Sequence, residues 1–170
     1  IQVFPVLTLD LNTTAAVHMD EYAEVTLNTN TDLPVTWKVS VYDITASVMD
    51  ATGRVFTSAT RSVKVYPIAG LSFTLPATAW TDSGIPVDLL SSDLADQNVT
   101  WTLSKDGVPA EMKDYVFGSL NNKGGNIRFT DVGAYTLIAT AEDELGREYS
   151  CSQMVQICLL YTSDAADEAR

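Results

Sequence analysis

The sequence predicts an all-β chain in which two β-sheets pack face to face as a sandwich. Apolar residues mostly alternate with polar or β-branched ones, which is the period-2 pattern of half-buried strands. Turn-forming clusters separate these stretches at short intervals, and helical periodicity is nearly missing. With 170 residues, of which 46% are hydrophobic and 19% charged, the chain is long enough to bury a core in one or two domains.

Four strands show the clearest alternation, and four turns separate them. The predicted strands are LSFTL (71–75), NVTWTL (98–103), NIRF (126–129) and AYTLIATA (134–141). The predicted turns are DSG (82–84), KDG (105–107), NNKGG (121–125) and DELG (143–146). Asp and Asn side chains bond to nearby backbone in such turns, and Gly accepts the positive φ that closes a hairpin. Regular short strands joined in this way are typical of a sandwich.

The chain also repeats itself. Three pairs of segments match: VFPV (3–6) with VYPI (65–68), VTW (35–37) with VTW (99–101), and YDITASVMDATGRVF (42–56) with YTLIATAEDELGREY (135–149). The offset is 62 residues in the first pair, 64 in the second and 93 in the third. The offset of 62 also matches His18 with Trp80 and Val25 with Val87. Such repetition indicates two copies of one module.

The jump in offset means that the first copy has no counterpart of the segment at 104–133. Read as a real deletion, it would fuse residues 35–48 into one unusually long strand. A sandwich without its middle strands exposes edges and half of its core. We therefore expect residues 1–62 to be the less ordered half, or to pair irregularly with the second domain. Collapse of similar repeats during sequence assembly is the other explanation of the gap.

The stretch DVGAYTL at 131–137 resembles the D-x-G-x-Y signature of immunoglobulin-like domains. The resemblance implies that Tyr135 forms the corner leading into strand F, with Asp131 and Gly133 completing the signature. It implies that Trp101 is the buried Trp of strand C and that Leu137 replaces the second Cys. Val87 or Leu89 would stand in place of the first Cys, so that aliphatic packing replaces the disulfide. The expected fold is an immunoglobulin-like β-sandwich, with one complete copy after a truncated one.

Three further motifs, WTLSKDG, GGNIRF and VYP, make the chain similar to tandem immunoglobulin-like or PKD-like repeats of large bacterial cell-surface proteins. That resemblance implies a non-catalytic structural or spacer module, extracellular, whose partners are neighbouring repeats in the same chain. Two alternatives stay open. One is a module that binds carbohydrate or a host surface protein, and the other is an accessory domain of a secreted glycosidase.

These matches divide the chain into four parts. Residues 1–3 would end a preceding repeat, 4–67 form the truncated repeat, and 68–157 form the complete one. Residues 158–170 abandon the strand pattern and resemble the translation of a sequencing adapter. The alternative is a genuine polar tail.

Composition argues against two classes of partner. The chain has 10 basic and 22 acidic residues, a net charge of −12, and nucleic-acid binding needs a basic surface instead. No apolar run approaches the roughly 18–20 residues of a membrane span. Cys151 and Cys158 lie in no CxxC or Cys/His cluster, so zinc is not expected, and a disulfide between them is left open.

Catalytic chemistry is not expected. His18 is the only histidine, and its match with Trp80 indicates a packing position rather than a catalytic triad. No cofactor is predicted, although carboxylates at the ends of a sandwich can ligate calcium. The calcium candidates are the AEDE turn (141–144), Asp82, Asp93, Asp96 and Asp131. Trp80, in ATAWTDSG, is expected to pack at a linker, or to stack on a sugar if the module binds carbohydrate.

Overall fold

A computed structural model describes residues 3–94 and 97–160 of the chain. The chain divides into two compact units, Ile1–Ile68 (unit 1) and Ala69–Arg170 (unit 2). The predictions made for Ile1, Gln2, Asp96 and residues 161–170 lie outside the described residues.

The described residues of unit 1 form eight strands. They are β1 (Leu9–Thr13), β2 (Ala16–His18), β3 (Val25–Thr29), β4 (Thr36–Val39), β5 (Asp43–Met49), β6 (Val55–Thr57), β7 (Arg61–Ser62) and β8 (Lys64–Tyr66). β1 pairs with β3, β2 pairs with β8, and β5 pairs with β4, β6 and β7. Leu11, Ala46 and Val48 are fully buried between these strands.

In unit 2, the residues that the structure describes form ten strands and one short helix. They are β9 (Gly70–Ser72), β10 (Thr78–Trp80), β11 (Ile85–Asp88), β12 (Leu90–Ser92), β13 (Thr100–Lys105), β14 (Val108–Ala110), α1 (Met112–Tyr115), β15 (Val116–Asn121), β16 (Gly124–Phe129), β17 (Gly133–Glu142) and β18 (Glu148–Cys158). One sheet has the order β10-β18-β17-β13-β14, and a second has the order β11-β16-β15. β9 pairs with β12.

The core of unit 2 lies between these sheets. Its buried members alternate along the strands, as the sequence predicted: Phe73, Ile85, Val87, Leu89, Leu103, Val116, Ile127, Phe129, Tyr135, Leu137, Ala139, Val155 and Ile157. Burying each large aliphatic or aromatic side chain contributes roughly 1.5–3 kcal/mol. The all-β prediction is confirmed.

Two predicted strands have different bounds. NVTWTL becomes a strand only from Thr100, and LSFTL stops at Ser72 although Phe73 is buried. The second difference arises because the chain changes partners. β9 pairs with β12, whereas β10 pairs with β18, and Pro76 lies in the irregular stretch between them.

The fused strand expected at 35–48 is wrong. The chain turns back between β4 and β5, where the Ser40 N–H donates to the Asp43 carbonyl at 2.9 Å. Trp37 then faces Ala46 across the pair, in the same register in which Trp101 faces Ala139 in unit 2. Antiparallel strands can be joined by a tight turn, so the missing segment is bypassed without loss of this pairing. Each described strand of unit 1 pairs with another strand of the same unit.

Candidate functional site

The signature residues predicted at 131–137 form a packed corner in unit 2. Tyr135 is fully buried in β17, and its hydroxyl donates to the Asp131 carbonyl at 3.0 Å. Its ring lies 4.5 Å from that of Phe129 and 6.0 Å from that of Tyr115, centroid to centroid. Burial raises the pKa of the Tyr135 phenol, which stays neutral and a hydrogen-bond donor at physiological pH. This is the geometry of a tyrosine corner.

A second interaction closes the corner from outside. The Lys105 ammonium donates to the Asp131 carboxylate and lies 4.6 Å from the centre of the Tyr115 ring. The hydrogen bond between Lys105 and Asp131 lowers the pKa of the Asp131 carboxyl and raises the pKa of the Lys105 ammonium, so both side chains stay charged. Gly133 suits this position because its φ of 147° is a backbone conformation that residues with side chains rarely adopt. Asp131, a calcium candidate, is thus already paired.

The other two predicted core residues lie at different depths. Leu137 is fully buried, while Trp101 is partly buried at the margin of the core. The Trp101 indole N–H donates to the Asn121 carbonyl at 3.0 Å, and its ring packs edge-on against Phe73 at 5.2 Å. Leu103, two residues further on the same face of β13, takes the deeper position. Sequence reasoning did not single out Phe129, although it ends the GGNIRF motif.

Both units contain the same turn, which joins β5 to β6 in unit 1 and β17 to β18 in unit 2. In unit 2 the Asp143 carboxylate accepts from the Leu145 and Arg147 N–H groups at 2.9 and 3.0 Å, and Gly146 has a φ of 86°. In unit 1 the Asp50 carboxylate accepts from the Thr52 and Arg54 N–H groups at 2.8 and 3.0 Å, and Gly53 has a φ of 83°. Asp143, in the predicted AEDE cluster, is therefore held in turn structure.

The Asp50 turn predicts a dependence of stability on pH. Hydrogen bonds, foremost that from the Thr52 hydroxyl at 2.6 Å, hold the pKa of Asp50 far below its usual range. A carboxyl with a depressed folded-state pKa stabilises the fold above its unfolded pKa of about 3.9, and this contribution is lost as pH falls below that value. The protection factors of the β5 and β6 amides, which correct for the slower intrinsic exchange at low pH, should therefore fall below about pH 4.

The control for this prediction is Asp50→Asn, which should remove part of the acid sensitivity of β5 and β6. Asp32→Asn changes an exposed Asp of the same unit and should leave the pH profile as it is. An unchanged profile in Asp50→Asn would contradict the assignment.

His18 and Trp80 occupy matching positions with different surroundings. His18 is buried in β2, where its Nδ1 lies 3.1 Å from the Glu21 carboxylate. Trp80 is exposed in β10, beside a shallow depression lined by Leu75, Pro76 and Pro86. The strand pairing is the same in both, since His18 lies opposite Tyr66 and Trp80 opposite Cys158.

The remaining metal and thiol candidates are not brought together. Asp82 and Asp93 lie in separate turns, each with a φ of 60°. Among residues 3–94 and 97–160, no three His, Cys, Asp or Glu side chains are grouped to hold a metal ion. Calcium binding stays a prediction. Cys151 and Cys158 are free thiols on one extended strand, about 23 Å apart at seven residues, so they cannot form a disulfide with each other.

Together, the corner of unit 2, the turn found in both units and the parallel pairs β2–β8 and β10–β18 define a tandem of immunoglobulin-like β-sandwiches. Known structures share this fold. The chain is similar to the I67–I69 fragment of the titin I-band, with a TM-score of 0.52 and 11% identity over 92% of this chain and 67% of that one. It is also similar to immunoglobulin domains 1–4 of Sidekick-1, with a TM-score of 0.51 and 12% identity over 89% of this chain and 48% of that one.

The chain therefore spans about half the length of the Sidekick-1 fragment. No protein-family model matches the chain, and no curated protein does. At identities of 11% and 12%, the similarity to these structures shows a shared fold and nothing more. In the part of the chain that the structure describes, no helix is both long and apolar enough to span a membrane.

Proposed function

We propose that this chain is a non-catalytic structural module of a large bacterial extracellular or cell-surface protein, where it spaces or displays a distal domain. The supporting observation is that the second strand of each unit runs parallel to its last strand. β2 runs parallel to β8 in unit 1, and β10 runs parallel to β18 in unit 2. A unit built in this way receives the chain at one end and releases it at the opposite end. Residues 67–69 alone connect β8 to β9.

Two other features support the same role. The hydrogen bonds that hold the corner and the two matching turns lie within one unit, between its side chains and its own backbone. The net charge of −12 favours solubility and discourages association with similarly charged surfaces. The partners in this proposal are neighbouring immunoglobulin-like repeats of the same chain.

The proposal predicts mechanical resistance along the chain. Pulling on the two ends loads the β10–β18 hydrogen bonds in shear, because the strands are parallel. Single-molecule force spectroscopy should show unit 2 unfolding in one step, releasing about 80 residues, or roughly 280 Å of extended chain.

The matched control pulls on the same fold in another direction. Handles on cysteines introduced at the exposed Val132 and Leu159, with Cys151 and Cys158 changed to Ser, load the adjacent ends of β17 and β18. These strands should then unzip pair by pair at a clearly lower force. Equal forces in the two geometries would count against a load-bearing spacer.

One observation favours the alternative of a carbohydrate-binding or host-protein-binding module. Trp80 is exposed beside an open depression of roughly 520 Å³ whose floor includes Leu75 and Pro86. An exposed indole beside such a surface can stack on a sugar ring. An accessory role in a secreted glycosidase would use the same fold and has no separate support in the residues.

A further inference from the structure

Four apolar positions of unit 1 are exposed although their counterparts in unit 2 contribute to the core. Val25 is 39% exposed where Val87 is 0%, Val39 is 69% exposed where Leu103 is 4%, and Tyr42 is 56% exposed where Tyr135 is 0%. Trp37 is 47% exposed, whereas its counterpart Trp101 is partly buried. The four counterparts in unit 2 contact one core cluster. We name Val25, Trp37, Val39 and Tyr42 the open face.

Unit 2 shows what normally covers these positions. The β15–β16 hairpin inserts Ile127 and Phe129, both fully buried, between the sheets. Phe129 packs on the corner Tyr135, and β16 pairs with β11 so that Gly125 faces Val87. Unit 1 has no counterpart of this hairpin, because the segment that encodes it is the one missing from the first copy.

The backbone of unit 1 is open at the same place. In unit 2 the Leu89 N–H donates to the Lys123 carbonyl at 3.1 Å, on the side of β16. In the described part of unit 1, β3 pairs with β1 alone. Just beyond the ends of these two strands, the Thr14 N–H donates to the Glu24 carbonyl at 3.0 Å. Because N–H directions alternate along a strand, the Val25 and Leu27 amides point to the unpaired edge.

We propose that unit 1 is a strand acceptor, which binds a β-hairpin of another polypeptide along the free edge of β3 and over the open face. Main-chain hydrogen bonds to the edge would supply affinity, and apolar side chains at alternate positions would supply specificity. This interaction surface is additional to the spacer role and does not depend on it.

The template in unit 2 also defines the chemistry of the partner strand. Gly124 approaches β11 so closely that a Cβ would lie 1.8 Å from the Val87 carbonyl oxygen. The inserted strand therefore needs glycine at this point, followed by apolar residues at the positions of Ile127 and Phe129. A strand reading Gly-Gly-polar-apolar-polar-aromatic meets these requirements.

The test uses the full chain and a peptide with the sequence of residues 115–130. We expect saturable one-to-one binding in a titration calorimeter. Hydrogen exchange followed by NMR should slow at the Val25 and Leu27 amides, with little change at Thr26, which already faces β1. A peptide carrying Ile127→Ser and Phe129→Ser should bind at least tenfold more weakly.

Chain variants separate the open face from other surfaces. Val25→Asp should weaken binding at least tenfold, while Val55→Asp, at an exposed position of β6 in the same unit, should not. Trp37→Ser is a second open-face variant, and the amide shifts of the Asp50 turn report whether either variant still folds. Absence of binding, protection confined to unit 2, or equal effects of Val25→Asp and Val55→Asp would overturn the proposal.

Discussion

Replacing Tyr135 with alanine is expected to destabilise unit 2 by about 3–5 kcal/mol. The side chain is fully buried, packs against Phe129 and Tyr115, and donates to the Asp131 carbonyl. Truncation removes both the ring contacts and the hydrogen bond, and leaves a cavity in a close-packed core. The loss should be read from urea unfolding followed by Trp101 fluorescence, with Trp37 and Trp80 replaced by Phe. Unit 1 variants should be followed by Trp37 fluorescence instead, with Trp80 and Trp101 replaced by Phe.

The matched control is Tyr42→Ala, since Tyr42 is the residue of unit 1 that matches Tyr135 in the repeated segment. Tyr42 is exposed, so its loss should change the stability of unit 1 by about 0.5 kcal/mol or less. Tyr135→Phe isolates the hydroxyl and should destabilise unit 2 by about 1 kcal/mol. Equal losses in Tyr135→Ala and Tyr42→Ala would contradict the view that the β15–β16 hairpin buries the corner.

Gly124→Ala is expected to destabilise unit 2 by about 3 kcal/mol or more. A positive φ disfavours an L side chain by about 1–2 kcal/mol, and overpacking adds about 1–3 kcal/mol. Gly124 has a φ of 101°, and the added Cβ would meet the Val87 carbonyl oxygen, which cannot move without breaking the pairing of β11 with β16. Urea unfolding with the same Trp101 reporter measures the effect.

Gly53→Ala is the control for this substitution. Gly53 also has a positive φ, 83°, but no atom lies within 4 Å of a Cβ built there. The loss in unit 1 should therefore be about 1–2 kcal/mol, the conformational part alone. If both glycines gave the same loss, the close approach of the hairpin to β11 would not be a constraint.

The local elements could be predicted from the sequence because they depend on near neighbours. The Asp143 turn follows from an Asp that bonds to its own backbone and a Gly that accepts positive φ, and both residues lie within four positions. The long alternating strand around Tyr135 follows from its period of two. Asp50 and Gly53 match these two residues in the repeated segment, and the structure shows the same turn there.

Depth in the core could not be predicted in this way. Trp101 was expected at the centre of the sandwich, but it lies at the margin, because Leu103 takes the deeper position on the same face of β13. The bypass between Val39 and Asp43 was also missed. A fused strand and a tight turn have the same local alternation, and only the partner strand decides between them.

Alternation and residues close in the chain were enough to predict a repeated all-β chain with recurring turns, and the resemblance of DVGAYTL to a known signature implied the corner. Which copy of a motif is buried became clear only from the packing of strands that are distant in the chain. Tyr42 and Tyr135 occupy matching positions in the repeated segment, yet Tyr42 is exposed and Tyr135 is fully buried. Burial of the Tyr side chain depends on the β15–β16 hairpin, which is a separate segment of the chain, and unit 1 has no counterpart of this hairpin.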